Sequence, residues 1–249
     1  FDLGAPRQQA FLLVERGRFD EAIAIAKRHF EELPGLVTQF ADALVEAGAD
    51  DTAEAYMAGL LKARHGQTYL SWLANHAEKT GKLSAALDLW RRSILQAPGF
   101  QTYQTIREIA EQLGQWEETR QELLAALEAK EIWHVLLDIA LDERDVPRAL
   151  ELLPNLRGWF SRDYEMRVAQ AGEESHPEES LSIYGRRIEQ LIDARGRDNY
   201  RSAAEILTRV RRIYDQQNNQ DTWRHYIKSL RHQNRNLPAF QDELNKAGL

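Results

Sequence analysis

The chain has 249 residues, of which 43% are hydrophobic and 7 are proline, so it can bury a sizeable core as one elongated domain or as two compact ones. It contains no cysteine, which excludes disulfides, zinc sites with thiolate ligands and cysteine nucleophiles. The net charge is −7, but residues 185–235 hold twelve Lys and Arg against six Asp and Glu, so an acidic body precedes a basic C-terminal region.

Neither a membrane span nor a signal peptide is predicted. No run of 18 apolar residues occurs, and no charged leader precedes an apolar block near the start. The lack of cysteine fits a reducing compartment, so we expect a cytoplasmic protein. The first residue is Phe rather than Met, and we expect the chain to be part of a larger protein.

A Gly followed five residues later by a small residue recurs along the chain. The copies begin at Gly17, Gly48, Gly81 and Gly114, with weaker copies at Arg144 and Ser175. The matching small residues are Ala22, Ala53, Ala86, Thr119, Ala149 and Ser180. The first four copies are 31, 33 and 33 residues apart, a period typical of helical repeats.

Each unit is predicted to be a pair of helices. Segments such as "LVTQFADALVEAG" space apolar residues three and four apart and then end in Gly, which tolerates the left-handed conformation after a helix. The small residue lets the second helix pack closely on the first, Asp20 or Ser84 is expected to cap it, and Pro34 or Pro98 to stop it. Because such hairpins cannot bury their apolar faces alone, we predict an all-α solenoid. The alternative is a helical bundle in which this spacing arises by chance.

The repeat pattern of the sequence changes after residue 174. Pro177 occupies the first turn of a long predicted helix, and three more helical segments follow, "RDNYRSAAEILTRVRRIYDQQ", "QDTWRHYIKSLRHQN" and "LPAFQDELNKAGL". We predict repeats over residues 1–174 and a helical region over residues 175–249 that caps the solenoid and is continuous with it.

The repeats resemble the tetratricopeptide family. The shared features are a small residue in the first helix (Ala10, Ala41, Ala74), the Gly of the turn, the Ala that opens the second helix and a closing Pro. The second unit lacks the Pro, the fourth has Thr in place of the Ala, and the fifth has a short second helix that ends at Pro154. This resemblance implies a helical-repeat fold and a protein-binding scaffold, and it does not identify the partner.

The C-terminal region resembles a second family. The stretch "IYGRRIEQLIDARGRDNYRSAAEILTRVRRIYDQQNNQDTWRHYIKSLRHQN" is similar to the C-terminal region of bacterial SWIM-type zinc-finger proteins. The zinc motif of that family, C-x-C followed by C-x-H, is absent from this chain. The resemblance therefore implies a larger protein whose metal site lies upstream of residue 1.

No motif in the chain predicts catalysis, a metal or a cofactor. There is no phosphate-binding Gly-rich loop, no nucleophile elbow and no H-E-x-x-H, and the seven histidines lack the spacing of metal ligands. Adjacent acid pairs on helices point in different directions and cannot act together. We predict that the chain is not an enzyme. An enzyme would need a site assembled from residues distant in sequence.

In tetratricopeptide proteins the first helix of each pair lines a concave groove, and the resemblance projects such a groove onto mostly polar, amide and acidic side chains. The predicted partner-binding residues are Asp42, Glu46, Asn75, Gln104, Glu108, His134 and Asp138. Carboxylates and amides in a row suit a basic or extended peptide. The alternative is that these are solvated helix faces. Trp72, Trp90, Trp116, Trp133 and Trp159 are predicted to fill the core.

The basic region offers a second hypothesis, an accessory nucleic-acid-binding module. The residues predicted to contact phosphates are Arg201, Arg209, Arg211, Arg212, Arg224, Lys228 and Arg231. Six interleaved acids and an overall pI of about 5.6 argue against it, because surface arginines commonly pair with neighbouring acids. The leading prediction is a non-catalytic scaffold for a protein partner.

Overall fold

A computed structural model describes residues 4–158 and 161–249. Within these ranges the regular structure consists of fifteen α-helices and one 3₁₀ turn (Leu153–Asn155), with no strand. The helices are α1 (Gly4–Glu15), α2 (Phe19–His29), α3 (Pro34–Glu46), α4 (Asp50–Gly59), α5 (Gly66–Lys79), α6 (Leu83–Ile94), α7 (Phe100–Gln112), α8 (Trp116–Ala129), α9 (Trp133–Asp142), α10 (Val146–Leu152), α11 (Ser161–Ala171), α12 (Pro177–Ala194), α13 (Arg197–Gln216), α14 (Gln220–Gln233) and α15 (Pro238–Lys246). No helix in the described ranges has the length and hydropathy that a membrane crossing requires.

The first compact unit comprises residues 1–135 and is built from consecutive helical hairpins. The helices from α1 to α8 pack on their neighbours in sequence, and α3 also packs on α1 and α5. Phe40 lies at the centre of the core, where its ring meets Phe11, Phe30 and Tyr56 edge-on at centroid distances of 5.9, 5.7 and 5.4 Å. This stacking of hairpin on hairpin confirms the predicted all-α solenoid of helical repeats.

The recurring motif has the structural role predicted for it. Gly17, Gly48, Gly81 and Gly114 all adopt positive φ, between 69° and 76°, and Arg144 does so at 59° although it carries a Cβ. The turn at Ser175 does not use this conformation. At all six small positions the residue is at most 2% exposed, and these residues are Ala22, Ala53, Ala86, Thr119, Ala149 and Ser180. A small side chain there lets paired helices approach closely.

The predicted helix caps are wrong. Asp20 and Ser84 each lie at the second position of their helix, and neither α2 nor α6 has a side-chain cap. The residue after the turn glycine closes the preceding helix with its N–H and is also the N-cap residue of the next helix, as Arg18 is, which donates to the carbonyl of Leu13 at 2.9 Å. No separate capping residue fits between the two helices.

Asp145 occupies the same shared position in the fifth unit, where it does cap the next helix. Its N–H donates to the carbonyl of Ala140 at 2.8 Å, and its side chain accepts a hydrogen bond from the N–H of Arg148 at 3.0 Å. One residue therefore closes α9 and caps α10.

The prolines do not stop the second helices as predicted. Pro34 is the first residue of α3, whereas α2 ends at His29. Pro98 likewise lies beyond α6, which ends at Ile94. Pro is favoured at a helix start because its missing N–H has no partner there, so Pro34 marks the beginning of the next repeat.

The second compact unit comprises residues 136–249. The four helices predicted after residue 174 are confirmed as α12 to α15, and α13 packs on α12, α14 and α15. The core of this second unit includes the rings of Tyr184, Tyr200 and Phe240. The predicted domain boundary at residue 174 lies inside this unit, and the capping role of these helices stays a prediction.

Candidate functional site

A first cavity of about 780 Å³ lies between α1 and α3 of the first unit. Its wall includes the half-buried rings of Phe11 and Phe19. Three carboxylates also line it, those of Glu15, Asp42 and Glu46. The volume falls within the range of ligand sites, and the combination of apolar walls with a few polar groups is typical of binding surfaces.

A second cavity of about 470 Å³ lies between α3 and α5. Asp42 and Glu46 line both cavities, so the two adjoin along α3. The α5 side contributes Trp72, Asn75 and Lys79. Three of the predicted partner-binding residues therefore meet in one region of the first unit.

Trp72 holds this region together. Its Nε1 donates a hydrogen bond to Oδ1 of Asp42 at 2.8 Å, and its ring stacks on His76 with centroids 5.0 Å apart and planes 10° apart. The indole thus fixes the Asp42 carboxylate from the neighbouring repeat. The sequence pattern predicts Trp72 in the core, although its position four residues before His76 on one helix indicates a shared face.

The prediction that the tryptophans fill the core holds only in part for the described ones, because Trp72 packs against the core of the first unit without being enclosed by it. Trp72, Trp90, Trp116 and Trp133 are all half-buried rather than enclosed. Trp90, for example, donates from Nε1 to Glu78 at 3.3 Å. Their indole N–H groups favour positions that keep a polar partner or solvent within reach. Trp159 lies outside the described residues.

His76 is buried beside two carboxylates, a feature that sequence analysis missed. It is 7% exposed, and its Nε2 lies 3.3 Å from Oδ1 of Asp50 and 3.3 Å from Oε1 of Glu54 without the geometry of a hydrogen bond. Lys82 approaches the same Glu54 oxygen at 2.6 Å, and this hydrogen bond raises the pKa of Lys82. The group joins α4 and α5 to Lys82, the N-cap residue of α6.

Gln104, Glu108 and His134 of the first unit line neither cavity. Gln104 and Glu108 lie one turn apart on α7, and His134 is on α9. Glu108 and His134 are exposed, and Gln104 is half-buried. In the part of the chain that the structure describes, none of the three side chains forms a hydrogen bond or an ion pair. Their role in partner binding stays a prediction.

Asp138 belongs to the second unit, where its carboxylate is already engaged. Oδ2 accepts a hydrogen bond from the Tyr164 hydroxyl at 2.9 Å, and Oδ1 accepts one from Arg167 at 2.8 Å. Burial, together with the hydrogen bond to Asp138, raises the pKa of the Tyr164 phenol to about 12. A partner would have to compete with both contacts to reach Asp138.

Most of the predicted phosphate-binding residues contact other parts of the second unit. Arg209 donates to Oε1 of Glu173 at 2.9 Å, and the same oxygen accepts from the Tyr184 hydroxyl at 2.6 Å. Arg231 donates to Gln241 at 3.1 Å, and it also contacts Asn245 and the Leu249 carbonyl. Arg201, Arg211 and Arg224 each pair with an acid on the same helix, Asp198, Asp215 and Asp221 respectively.

Arg212 and Lys228 differ from the other five. Both are exposed, and neither makes a hydrogen bond or ion pair with a residue in 4–158 or 161–249. Two unpaired cations on different helices offer few contacts to a nucleic acid, because its binding depends on several phosphate contacts.

Within the same ranges no group of three or more His, Asp and Glu side chains is arranged to hold a metal ion.

No protein-family model matches the chain. A segment of 75 residues is 35% identical to the uncharacterized protein YwqB of Bacillus subtilis (strain 168), and it spans 30% of this chain and 14% of that protein. A solved structure, the TPR2AB-domain:pHSP90-complex of yeast Sti1, is 16% identical and covers 98% of both chains at a TM-score of 0.32. A likeness at that level carries no argument about function.

Proposed function

We propose that the chain is a non-catalytic scaffold that binds an extended segment of a partner protein along α1, α3 and α5. The observation that carries this proposal is the pair of adjoining cavities that share Asp42 and Glu46. An elongated depression across successive hairpins suits a stretch of polypeptide better than a compact small molecule. The helices that form it are the first helices of three consecutive hairpins.

The polar groups of the two cavities suit a peptide backbone. Asn75 donates from Nδ2 to the Ser71 carbonyl on its own helix at 2.8 Å, which leaves its Oδ1 as an acceptor for a peptide N–H. Glu46 is exposed and offers two further acceptors. Asp42 is held in place by Trp72, so the acceptor is oriented before a partner arrives.

The resemblance of the C-terminal helices to SWIM-type zinc-finger proteins supports a further part of the proposal. The chain is, in this proposal, the C-terminal helical-repeat region of a larger cytoplasmic protein. Detection of the full-length product by mass spectrometry, with this chain at its C-terminus, tests that assignment. A product with no residues upstream of residue 1, or one that continues beyond residue 249, would contradict it.

A selection experiment tests the binding function. Peptides are selected from a random phage library on the immobilised intact chain, and their affinities are measured by fluorescence anisotropy. Asn75→Trp fills the second cavity without a change in charge, and we expect binding to weaken by about tenfold or more. The control Ala85→Trp adds the same side chain to an exposed position on α6 and should leave binding within about twofold.

Two results would overturn the proposal. One is a selection that enriches no peptide, and the other is an equal loss of affinity in both tryptophan variants.

Binding of labelled DNA and RNA is measured in parallel. Binding that is lost in the double variant Arg212→Glu with Lys228→Glu would favour the nucleic-acid module. Among the described residues of the second unit, no contact favours that alternative.

A further inference from the structure

We infer that the first cavity receives an arginine or lysine side chain, so that the partner segment is basic. This inference rests on the proposed function and specifies the chemistry of its ligand. Three features support it. Among the described residues the carboxylates of the cavity have no positive partner, its walls include aromatic rings, and the guanidinium of Arg7 already lies against one of these rings.

The carboxylates of the first cavity lack a positive partner. Within residues 4–158 and 161–249, no Lys, Arg or His forms an ion pair with Glu15, Asp42 or Glu46. Other acids of the first unit are paired, as Glu21 is with Arg18. No Lys or Arg lines this cavity either. Three carboxylates around one cavity give its wall a negative charge, and a cation placed among them is electrostatically favoured.

The walls of the cavity suit the stem of a long basic side chain. Phe11 and Phe19 present apolar surface beside the carboxylates. Lys and Arg bury their aliphatic stems on such surface and keep the charged end near polar groups. A small apolar ligand would desolvate the carboxylates without supplying a positive partner, which is costly. The combination therefore favours a basic side chain over an apolar one.

Arg7 shows the same chemistry within the chain. Its guanidinium carbon lies 5.9 Å from the centroid of the Phe11 ring, and its Nη2 donates to Oε1 of Gln39 at 3.4 Å. Both contacted residues line the first cavity, although Arg7 itself does not. A guanidinium is already accommodated against Phe11, and the cavity that this ring lines has room for a second one beside the carboxylates.

The probes are fluorescein-labelled Gly/Ser peptides that carry four arginines, the same peptide with citrulline at those positions, and one with glutamate. Citrulline keeps the shape of arginine and removes its charge. We expect the arginine peptide to bind and the citrulline peptide to bind about tenfold more weakly or not at all. Equal binding of the two would overturn the inference.

A matched pair of triple variants separates a specific site from general attraction to an acidic protein. The site variant is Glu15→Gln, Asp42→Asn and Glu46→Gln. The control is Asp88→Asn, Glu117→Gln and Glu118→Gln, which removes the same charge from exposed positions on α6 and α8. We expect about a tenfold loss of affinity in the site variant and less than twofold in the control. Equal losses would contradict the inference.

Ala47→Trp provides a test that leaves all charges in place. Ala47 is exposed at the end of α3 and lines the first cavity, so an indole there fills the cavity without disturbing the core. We expect weaker binding of the arginine peptide and an unchanged circular dichroism spectrum. If phage selection instead yields neutral or acidic peptides that bind the second cavity, the scaffold function stands and the basic ligand is wrong. If it yields none, both are wrong.

Discussion

Replacement of a turn glycine by alanine tests whether the repeat depends on backbone conformation. Gly114 has φ of 69°, and a Cβ built on it meets no atom within 4 Å. The cost of Gly114→Ala is therefore purely conformational, because an L-residue in the left-handed region loses about 1–2 kcal/mol. The smaller entropy of unfolded alanine offsets part of this loss. We expect the free energy of unfolding to fall by about 1 kcal/mol.

Two matched substitutions should act in the opposite direction. Gly35 lies in α3, where φ is not positive and an added Cβ also meets nothing, so Gly35→Ala should stabilise the protein by about 0.5–1 kcal/mol. Arg144 adopts φ of 59° at the turn position of the fifth unit. Arg144→Gly should stabilise by about 0.5 kcal/mol, because relief of strain exceeds the entropy cost of glycine.

Urea denaturation followed by circular dichroism at 222 nm measures these changes. With a slope of about 2–3 kcal/mol per molar, a change of about 1 kcal/mol shifts the midpoint by about 0.3–0.5 M. Gly114→Ala should shift it down and Gly35→Ala should shift it up. A shift of the same sign for both would refute the argument, because the two substitutions differ only in the backbone conformation at the site.

Three other substitutions test packing, capping and titration. Ala86→Leu should destabilise by about 1–3 kcal/mol because the position is fully buried, whereas Ala85→Leu on the exposed face should stay within about 0.5 kcal/mol in the same urea assay. Asp145→Ala removes the one side-chain cap described for α10 and should cost about 1 kcal/mol, whereas no change in the midpoint would mean that solvent caps this helix equally well. Asp138→Asn should lower the pKa of Tyr164 from about 12 toward 10.0, as followed by phenolate absorbance. Because the folded pKa is raised, the stabilisation by this phenol is complete below about pH 10 and is lost as the pH rises toward 12, and an unchanged Tyr164 titration in the variant would contradict the described hydrogen bond.

The repeat could be predicted from sequence because it depends on local requirements. A left-handed turn after a helix favours Gly, and a close helix contact requires a small side chain, so both leave a signal at a fixed spacing. The caps could not be predicted in the same way. The turn is so short that one residue both closes the first helix and occupies the N-cap position of the second, so Asp20 and Ser84 lie within the helix.

The candidate site was predicted only in part. Asp42, Glu46 and Asn75 follow from the repeat register, because equivalent positions on consecutive first helices lie side by side. The hydrogen bond from Trp72 to Asp42 joins residues 30 positions apart and leaves no local signal. The engagement of Asp138 by Arg167 is likewise a contact between helices, which a pattern along one helix does not reveal.

The stacking of each hairpin on its sequence neighbours also constrains how the first unit folds. Its extensive helix contacts join helices that are one or two apart in sequence, so only short loops must close before those contacts form. Proteins rich in such local contacts fold within microseconds to milliseconds. The first unit should therefore fold on this timescale, limited by helix formation and the docking of adjacent helices rather than by a search for distant partners.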